Sequence, residues 1–248
     1  DILVILDSAQ YTKSLVHRIE NGSVRHKSFQ ADSPIKLPSG VHYLTVPVKR
    51  GVLTLNKTPI EYGHKWKEKH VSVLRSAYGR SLNFGTLWSE ITQLLSVPYD
   101  SIASLDIQTF LWGIVKIMGF NIPLEQISIP VVNSELARAG SKLKRVVTAS
   151  STGVLRPDGA QKGSEWTVAL CKELGASEYL HGRTALGGYM DENYYREHTI
   201  RLVTQDWTCP EYTQQFKDRV PFMPNLSIID LLLNVSQHEA KEIVSSGI

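Results

Sequence analysis

The sequence predicts an α/β fold, in which a mixed β-sheet is flanked by helices and a helical section is inserted near residues 65–120. The first observation is the continuous apolar run at residues 2–6, which is typical of a strand covered on both faces and is followed by Asp7. The second is the apolar period of three to four residues between positions 65 and 120. Strand-like and helical stretches then alternate to the end of the chain, and we expect one domain over residues 1–248.

Composition argues against several classes of protein. The chain has 27 basic and 24 acidic residues, and its net charge of +3 predicts a mildly basic surface with no nucleic-acid partner. Cys171 and Cys209 are too few for a disulfide framework or a zinc site, so we expect a cytoplasmic protein without metal. No cofactor fingerprint occurs. The apolar runs are well short of the ~20 residues that span a bilayer, so no membrane insertion is expected.

Four chemically active residues follow the first strand. Asp7, Gln10, Tyr11 and Lys13 lie within seven positions, at the strand end where open α/β sheets bind ligands. These residues are candidate substrate-binding groups. The alternative is a solvated turn.

The next stretch predicts short strands. Asn21-Gly22 indicates a hairpin or a flexible loop within the basic, irregular residues 17–38. Strands are expected over residues 41–49, where Pro47 indicates an edge or a break, and over residues 54–61.

The helical section begins near Lys65. Trp66, His70 and Val73 share one face of its first helix. A lone histidine on an apolar face is more often a core residue than a catalyst, so both interpretations stay open. Two more helices are predicted, one ended by Pro98 and one ended by Gly119.

The second half predicts a short strand over residues 127–132 and a mobile, basic loop over residues 133–163. A helix then ends at Gly175. The short strand after it leads into a glycine-rich turn at 182–191, the kind of connection that tends to carry function.

An apolar helix near the carboxyl end carries a polar stripe. Ser227, Asp230 and Asn234 fall on one face of residues 226–235. Ser227 and Asp230 could form a capping box. The alternative is the polar wall of a site, because an uncompensated buried polar group costs about 2–7 kcal/mol.

The chain resembles the WbqC-like protein family in four segments, in order and spacing. These are residues 4–13; residues 44–48 with Trp66 and His70; residues 179–191; and Pro210, Tyr212 and Gln214 continuing to residues 222–234. The chain departs from the family pattern at two points. The opening His-Gln-Pro motif does not precede the first strand, and Val235-Ser236 replace an expected glycine.

The resemblance implies a bacterial or archaeal protein of surface-polysaccharide (O-antigen) or related amino-sugar pathways. The resemblance also implies a set of candidate site residues, which are Asp7, Gln10, Tyr11, His70, Gly182, Tyr189, Asp191, Tyr212, Gln214, Ser227, Asp230 and Asn234. We expect the site where the end of the first strand, the 182–191 turn and the 227–234 helix converge. A nucleotide-linked sugar and an acyl-thioester donor or acyl carrier protein are the expected partners, and homodimer formation stays open.

Three functions compete. The first is a transferase that moves an acyl or aminoacyl group to the amine of a nucleotide-linked amino sugar by direct attack, with His70, or Asp230 held by Asn234, as the base. The chain contains no Gly-x-Ser-x-Gly motif, which would have indicated a serine nucleophile and a covalent intermediate. The second is a metal-independent glycosyltransferase, since no Asp-x-Asp occurs. The third is a non-catalytic binding or assembly protein.

Overall fold

The computed structural model describes residues 1–19, 22–49, 51, 53–157, 163–182 and 190–246, with the backbone alone for residues 14–19 and 22–26. Helices and short strands are both present along the chain, which confirms the mixed α/β class.

The strands of the described residues form two-stranded pairs, two of them antiparallel and two parallel. The antiparallel pairs join β2 (Ser14–Ile19) to β3 (Gly22–Lys27) and β4 (Asp32–Leu37) to β5 (Gly40–Thr45). The parallel pairs join β1 (Ile2–Ile5) to β6 (Arg145–Thr148) and β7 (Glu178–Gly182) to β8 (Arg201–Gln205). The antiparallel β2–β3 pair favours the hairpin over the flexible loop, the two alternatives that Asn21-Gly22 left open, although Asn21 itself lies outside the described residues. In the described part of the chain, the sheet therefore consists of separate pairs of both orientations.

The helices follow the apolar periodicity and the local stop signals. They are α1 (Trp66–Tyr78), α2 (Phe84–Ser96), α3 (Ile102–Met118), α4 (Ile129–Arg138), α5 (Gly163–Glu173), α6 (Glu192–Glu197), α7 (Ile228–Asn234) and α8 (Gln237–Ser245). A capping box of Ser101 and Ser104 begins α3. Gly119 ends α3 with a φ of 69°, a left-handed conformation that favours glycine.

The largest hydrophobic cluster lies among α1–α4, α7 and α8. Helix α7 is central to it because Leu231, Leu232 and Leu233 are all buried. Ile35 of β4, Leu44 of β5 and Val146 of β6 close the cluster on the strand side. The apolar sequence of α7 is thus explained by packing on most of its surface.

Strand β1 is covered on both faces, as its continuous apolar sequence predicts. Leu3 and Ile5 pack against the main cluster. Val4 and Leu6 pack instead against Trp166 and its neighbours on α5. The alternation of side chains along a strand produces this division.

Three predictions of local structure were wrong. Residues 127–132 were expected to be a strand, but α4 begins at Ile129 and has a proline in its first turn. Proline is favourable there because the backbone N–H groups of the first turn have no partner within the helix, so the N–H that proline lacks is not missed. The expected strand at residues 54–61 is a short 3-10 helix, Leu55–Lys57, flanked by isolated bridges. The expected loop at residues 133–163 contains the rest of α4, strand β6 and a 3-10 turn at Ala149–Thr152.

Candidate functional site

The first polar group, which we call the His70 cluster, lies where the start of α1 and the start of α3 pack against the segment after β1. Its members are Tyr11, Asp32, Thr45, Trp66, His70 and Asp106. They come from five separate parts of the chain, and a second hydrophobic cluster that contains Trp66, Ile102 and Leu105 supports them.

His70 is the imidazole of this cluster. It is 8% exposed, and the ring of Trp66 meets it edge to face with 5.2 Å between ring centroids. Burial lowers the pKa of His70 below its usual value, because the charged ring loses hydration. A hydrogen bond to the backbone of Thr45 opposes this change and His42 adds to it. His70 is therefore neutral at neutral pH, with one ring nitrogen oriented by Thr45.

Tyr11 enters the cluster because the segment after β1 folds over residues 53–56. The backbone N–H of Tyr11 donates to the Leu53 carbonyl at 2.9 Å, and Gln10 pairs with Thr54 in an isolated bridge. Burial raises the pKa of the Tyr11 phenol, and the carboxylates of Asp32 and Asp106 raise it further. Gln10 itself is exposed, as is Lys13.

Asp106 is a carboxyl that the sequence analysis did not single out. It lies on α3 between Leu105 and Ile107 and is partly exposed. Among the side chains that the structure describes, none forms a hydrogen bond or an ion pair with its carboxyl group. Burial therefore raises the pKa of Asp106 to about 8.

Trp66 adds an unused donor to the cluster. It is 4% exposed, and its indole N–H has no acceptor among the described residues. Buried donors in folded proteins are nearly always paired, so this one requires an explanation.

The second polar group, the Asp230 network, consists of Lys36, Tyr78, Tyr212, Gln214 and Asp230. Asp230 is fully buried, and its two carboxylate oxygens accept hydrogen bonds from the hydroxyl groups of Tyr78 at 2.7 Å and Tyr212 at 2.8 Å. Burial raises the pKa of Asp230, whereas the two phenols and the charge of Lys36 oppose that rise. The same environment raises the pKa of both tyrosines.

Lys36 and Gln214 complete this network. The Lys36 ammonium donates to Gln214 Oε1 at 3.1 Å and to the Pro221 carbonyl at 2.8 Å. Gln214 also pairs with both backbone groups of Met223. Burial lowers the pKa of Lys36 and the charge of Asp230 opposes this change. The network ties β4, α1, the segment at 212–223 and α7 together.

The polar stripe of α7 has internal partners. Ser227 makes no side-chain capping hydrogen bond, and Asp230 points to the two tyrosines, so the capping-box alternative was wrong. Asn234 donates to the carbonyl of Asp230 at 2.8 Å and accepts from Gln215 at 3.0 Å. Asp230 and Asn234 are thus satisfied within the protein rather than left open.

Asp7 and Asp191 occur in two further places. The Asp7 carboxylate accepts hydrogen bonds from the backbone and the hydroxyl of Ser150, at the carboxyl ends of β1 and β6. Asp191 caps the start of α6, accepting from two backbone N–H groups, and its own N–H donates to Ser164 at 2.9 Å. No hydrogen bond of the described residues joins Asp7, Asp191 and Asp230, so their convergence stays a prediction.

The 182–191 turn is described at its two ends. Gly182 ends β7, and a Cβ added there would meet no atom of the described residues within 4 Å. The predicted site residue Tyr189 lies outside the described residues. His181, beside Gly182, is buried and bonds to the Gly182 carbonyl at 3.0 Å and to the Thr204 hydroxyl at 3.3 Å.

The comparisons with known proteins agree with the four segments quoted above. The model of the WbqC-like protein family matches residues 1–242. The chain belongs to the WbqC-like protein family. No curated protein and no solved structure matches the chain. Family membership is thus shown over nearly the whole sequence, and the chemistry has to be argued from the site.

Three residues that sequence reasoning missed are important in this WbqC-like fold. Lys36 and Tyr78 are fully buried partners of the Asp230 network, and Asp106 belongs to the His70 cluster. One signal was available for Asp106, since it interrupts an otherwise apolar face of α3. Nothing local distinguishes Lys36 or Tyr78, which lie far from Asp230 in sequence.

No group of three or more His, Cys, Asp or Glu side chains in the described part of the chain is placed to hold a metal ion. Within the same ranges, every helix is too short or too polar to cross a membrane.

Proposed function

We propose that this protein transfers an acyl or aminoacyl group from a thioester donor to the amine of a nucleotide-linked amino sugar, in surface-polysaccharide (O-antigen) or related biosynthesis. The substrate class comes from the family resemblance. One observation supports both acyl transfer and the His70 cluster as its site. The imidazole of His70 is buried, neutral and oriented.

His70 acts as the general base. Its hydrogen bond to Thr45 uses one ring nitrogen and leaves the other as an acceptor. The sugar amine attacks the acyl carbonyl carbon, the new C–N bond forms, and the C–S bond to the donor breaks. His70 takes the proton that the amine loses. The hydroxyl of Tyr11 is the proposed donor to the carbonyl oxygen, which gains negative charge in the transition state.

Direct attack by the amine is favoured over a covalent intermediate. Cys171 is buried, and burial raises the pKa of its thiol, so its reactive thiolate form is disfavoured. Asp230 and Asn234, the other predicted catalytic residues, have their polar groups bonded inside the protein, which supports a structural role for both.

The segment after β1 is the proposed wall for the nucleotide sugar. It carries Tyr11 into the cluster and leaves Gln10 and Lys13 exposed beside it. A lysine at that position supplies a positive charge for a diphosphate, and a glutamine supplies hydrogen bonds for sugar hydroxyls. Lys13→Ala is expected to raise the KM for the nucleotide sugar more than it lowers kcat.

The test is a mass-spectrometric turnover assay with a panel of nucleotide-linked amino sugars and acyl thioesters. An acyl mass gain on the sugar supports the proposal. Release of free nucleotide with transfer of the sugar would favour a glycosyltransferase instead. Binding without turnover of any pair would favour an assembly protein.

His70→Gln provides the matched variant. We expect it to lose on the order of 10²-fold or more in kcat/KM, because it removes the base. The control is His64→Gln, since the side chain of His64 is 70% exposed. Because the pKa of His70 is lowered, the rate of the unaltered protein should rise with pH through a midpoint below pH ~6.5, the ordinary histidine value, and level off above that midpoint. Equal rates for the two variants would contradict the assignment.

A further inference from the structure

We infer that Gln30 is the positioning residue for Tyr11, the proposed donor to the carbonyl oxygen of the acyl group. This inference rests on the proposed function. Gln30 lies outside the four segments that resemble the family, and the sequence analysis did not single it out. Its side-chain amide is bound to the backbone on both sides of Tyr11.

The contacts of Gln30 are the first argument. The backbone N–H of Thr12 donates to Gln30 Oε1 at 2.6 Å, and Gln30 Nε2 donates to the Gln10 carbonyl at 3.4 Å. A glutamine side chain ends in an amide, so it accepts from an N–H and donates to a carbonyl as a neighbouring strand does. We call these two hydrogen bonds the Gln30 bridge.

The opposite edge of the same segment is held by backbone groups. The N–H of Tyr11 donates to the Leu53 carbonyl at 2.9 Å, and the N–H of Leu55 donates to the Ala9 carbonyl at 2.8 Å. Successive N–H groups of an extended chain point to opposite edges, so the N–H of Thr12 points away from this pairing. The Gln30 bridge supplies the partner on the second edge. The segment that carries Tyr11 is therefore fixed on both edges.

Gln30 is itself held by a short turn. Its backbone N–H donates to Ser28 Oγ at 3.3 Å, and Ser28 Oγ donates to Gln30 Oε1 at 3.4 Å. Ser28 is fully buried, and its carbonyl accepts from the backbone N–H groups of Ala31 and Asp32. A supporting side chain that is locked by its own hydrogen bonds can hold a functional group in one position.

The turn and Tyr11 pack on the same hydrophobic cluster. Ala31, the residue after Gln30, is buried in that cluster with Trp66, and Tyr11 packs against it. The ring of Trp66 contacts the ring of His70, with 5.2 Å between the centroids. The Gln30 bridge thus joins the turn to the segment that brings a phenol to the His70 cluster.

The proposed reaction gives this bridge a consequence for the rate. A donor stabilises the charge that develops on the carbonyl oxygen only where it lies within hydrogen-bond distance of that oxygen. The Tyr11 hydroxyl is at the far end of a long side chain, so a small rotation of the peptide groups beside it moves the hydroxyl further than the backbone. A misplacement of about 1 Å can cost about 10²-fold in rate. Gln30 therefore acts through Tyr11 without touching the substrate.

A double-mutant cycle in the turnover assay tests this dependence. Gln30→Ala should lower kcat about 10-fold with little change in KM, and Tyr11→Phe should lower kcat about 10²-fold. In the Tyr11→Phe background, Gln30→Ala should have no further effect, because the donor that it positions is already absent. Losses that multiply in the double variant would overturn the inference.

Two further variants complete the kinetic test. Gln30→Glu keeps an acceptor for the N–H of Thr12 and loses only the donor to Gln10, so it should recover most of the kcat that Gln30→Ala loses. The control is Gln93→Ala, which changes an exposed glutamine on α2 and should keep the full kcat. A Gln30→Ala variant that is as active as this control would overturn the positioning role.

Amide hydrogen exchange measured by NMR tests the bridge without a substrate. Gln30→Ala should accelerate the exchange of the Thr12 amide about 10-fold or more, because that amide loses its acceptor. The amide of Val146, which donates to Asn133 Oδ1 at 2.8 Å, should stay protected and reports that the variant is folded. Unchanged exchange at Thr12 would overturn the bridge itself.

These measurements separate this inference from the proposed function. If the unaltered protein transfers no acyl group from any donor, the proposed function fails, and the catalytic role of Gln30 fails with it. If acyl transfer occurs and Gln30→Ala keeps its full kcat while the Thr12 amide exchanges faster, the bridge is structural only. In that case the role given to Gln30 fails and acyl transfer stands.

Discussion

Asp106 and Asp230 are both aspartates in apolar helices, and they differ in what surrounds them. Asp230 is fully buried but receives two phenol hydrogen bonds and lies near the buried Lys36. Asp106 is less buried and has no comparable partner among the described side chains. Hydrogen bonds and a nearby cation compensate a buried carboxylate, whereas their absence favours protonation. The first arrangement suits a structural link, and the second keeps the Asp106 carboxyl protonated to a higher pH.

Tyr78→Phe tests the structural role of the Asp230 network. The substitution removes one donor from a fully buried carboxylate and should lower the free energy of unfolding by about 1–3 kcal/mol. Urea unfolding measures the change. The control is Tyr43→Phe on β5, because the Tyr43 side chain is 40% exposed and should lose less than ~0.5 kcal/mol. Equal losses of unfolding free energy in the two variants would show that the buried Tyr78 hydroxyl contributes no more to stability than the exposed Tyr43 hydroxyl.

Sequence alone predicted part of this residue-level detail. The spacing of Ser227, Asp230 and Asn234 on an apolar helix indicated polar groups that need partners, and the structure supplies partners for Asp230 and Asn234. Which partners they are could not be predicted, because Tyr78 and Asp230 are separated by 152 positions. Asp106 was missed because a single carboxylate in a helix is ordinarily solvated.

At the scale of elements, long apolar periodicity predicted helices correctly, whereas short apolar runs did not distinguish a strand from a helix. The three helices between residues 66 and 118 follow long 3–4 patterns. The run at 127–132 has too few residues to distinguish a strand from a helix, and the proline that opens α4 was the overlooked signal. Strand β6 was hidden in a basic stretch because it packs against β1, a contact that no local pattern reveals.

Gly119→Ala tests the junction between α3 and α8. Gly119 has a φ of 69°, and an added Cβ would come within 3.2 Å of the Gln237 amide, which bonds to the Ile117 carbonyl. Backbone strain and crowding should together cost about 1–2 kcal/mol in thermal or urea unfolding.

Gly113→Ala is the matched comparison within α3. An added Cβ there would meet Ile228 at an ordinary 3.7 Å, and the helix would gain about 0.5–1 kcal/mol from the better helix former. If Gly119→Ala proves as stable as Gly113→Ala, the proposed strain at the end of α3 is absent.

At the scale of the whole molecule, shared elements connect the hydrophobic clusters. Helix α5 contributes Trp166 and Leu170 to a cluster with β1, and Val168 and Cys171 to a cluster with Tyr195. Strand β1 in turn contributes to the main cluster. Because neighbouring clusters share α5 or β1, loss of packing in one cluster should disturb the cluster beside it.

Cys171 tests this connection. Its thiol is 7% exposed within the cluster around Tyr195, so alkylation requires that cluster to open. In a Cys209→Ser background, the opening free energy from alkylation rates should equal the free energy of global unfolding measured with urea. A value lower by several kcal/mol would show that the cluster opens on its own.

Lys36 has a consequence for the chemical durability of the protein. A lysine with a lowered pKa spends more time as a free amine, the form that reacts with thioesters. Its side chain is fully buried, and Gln214 and Pro221 hold its nitrogen, so this amine is sheltered in the native state. Accidental acylation at this position would therefore require unfolding, and it would trap the chain away from its native structure.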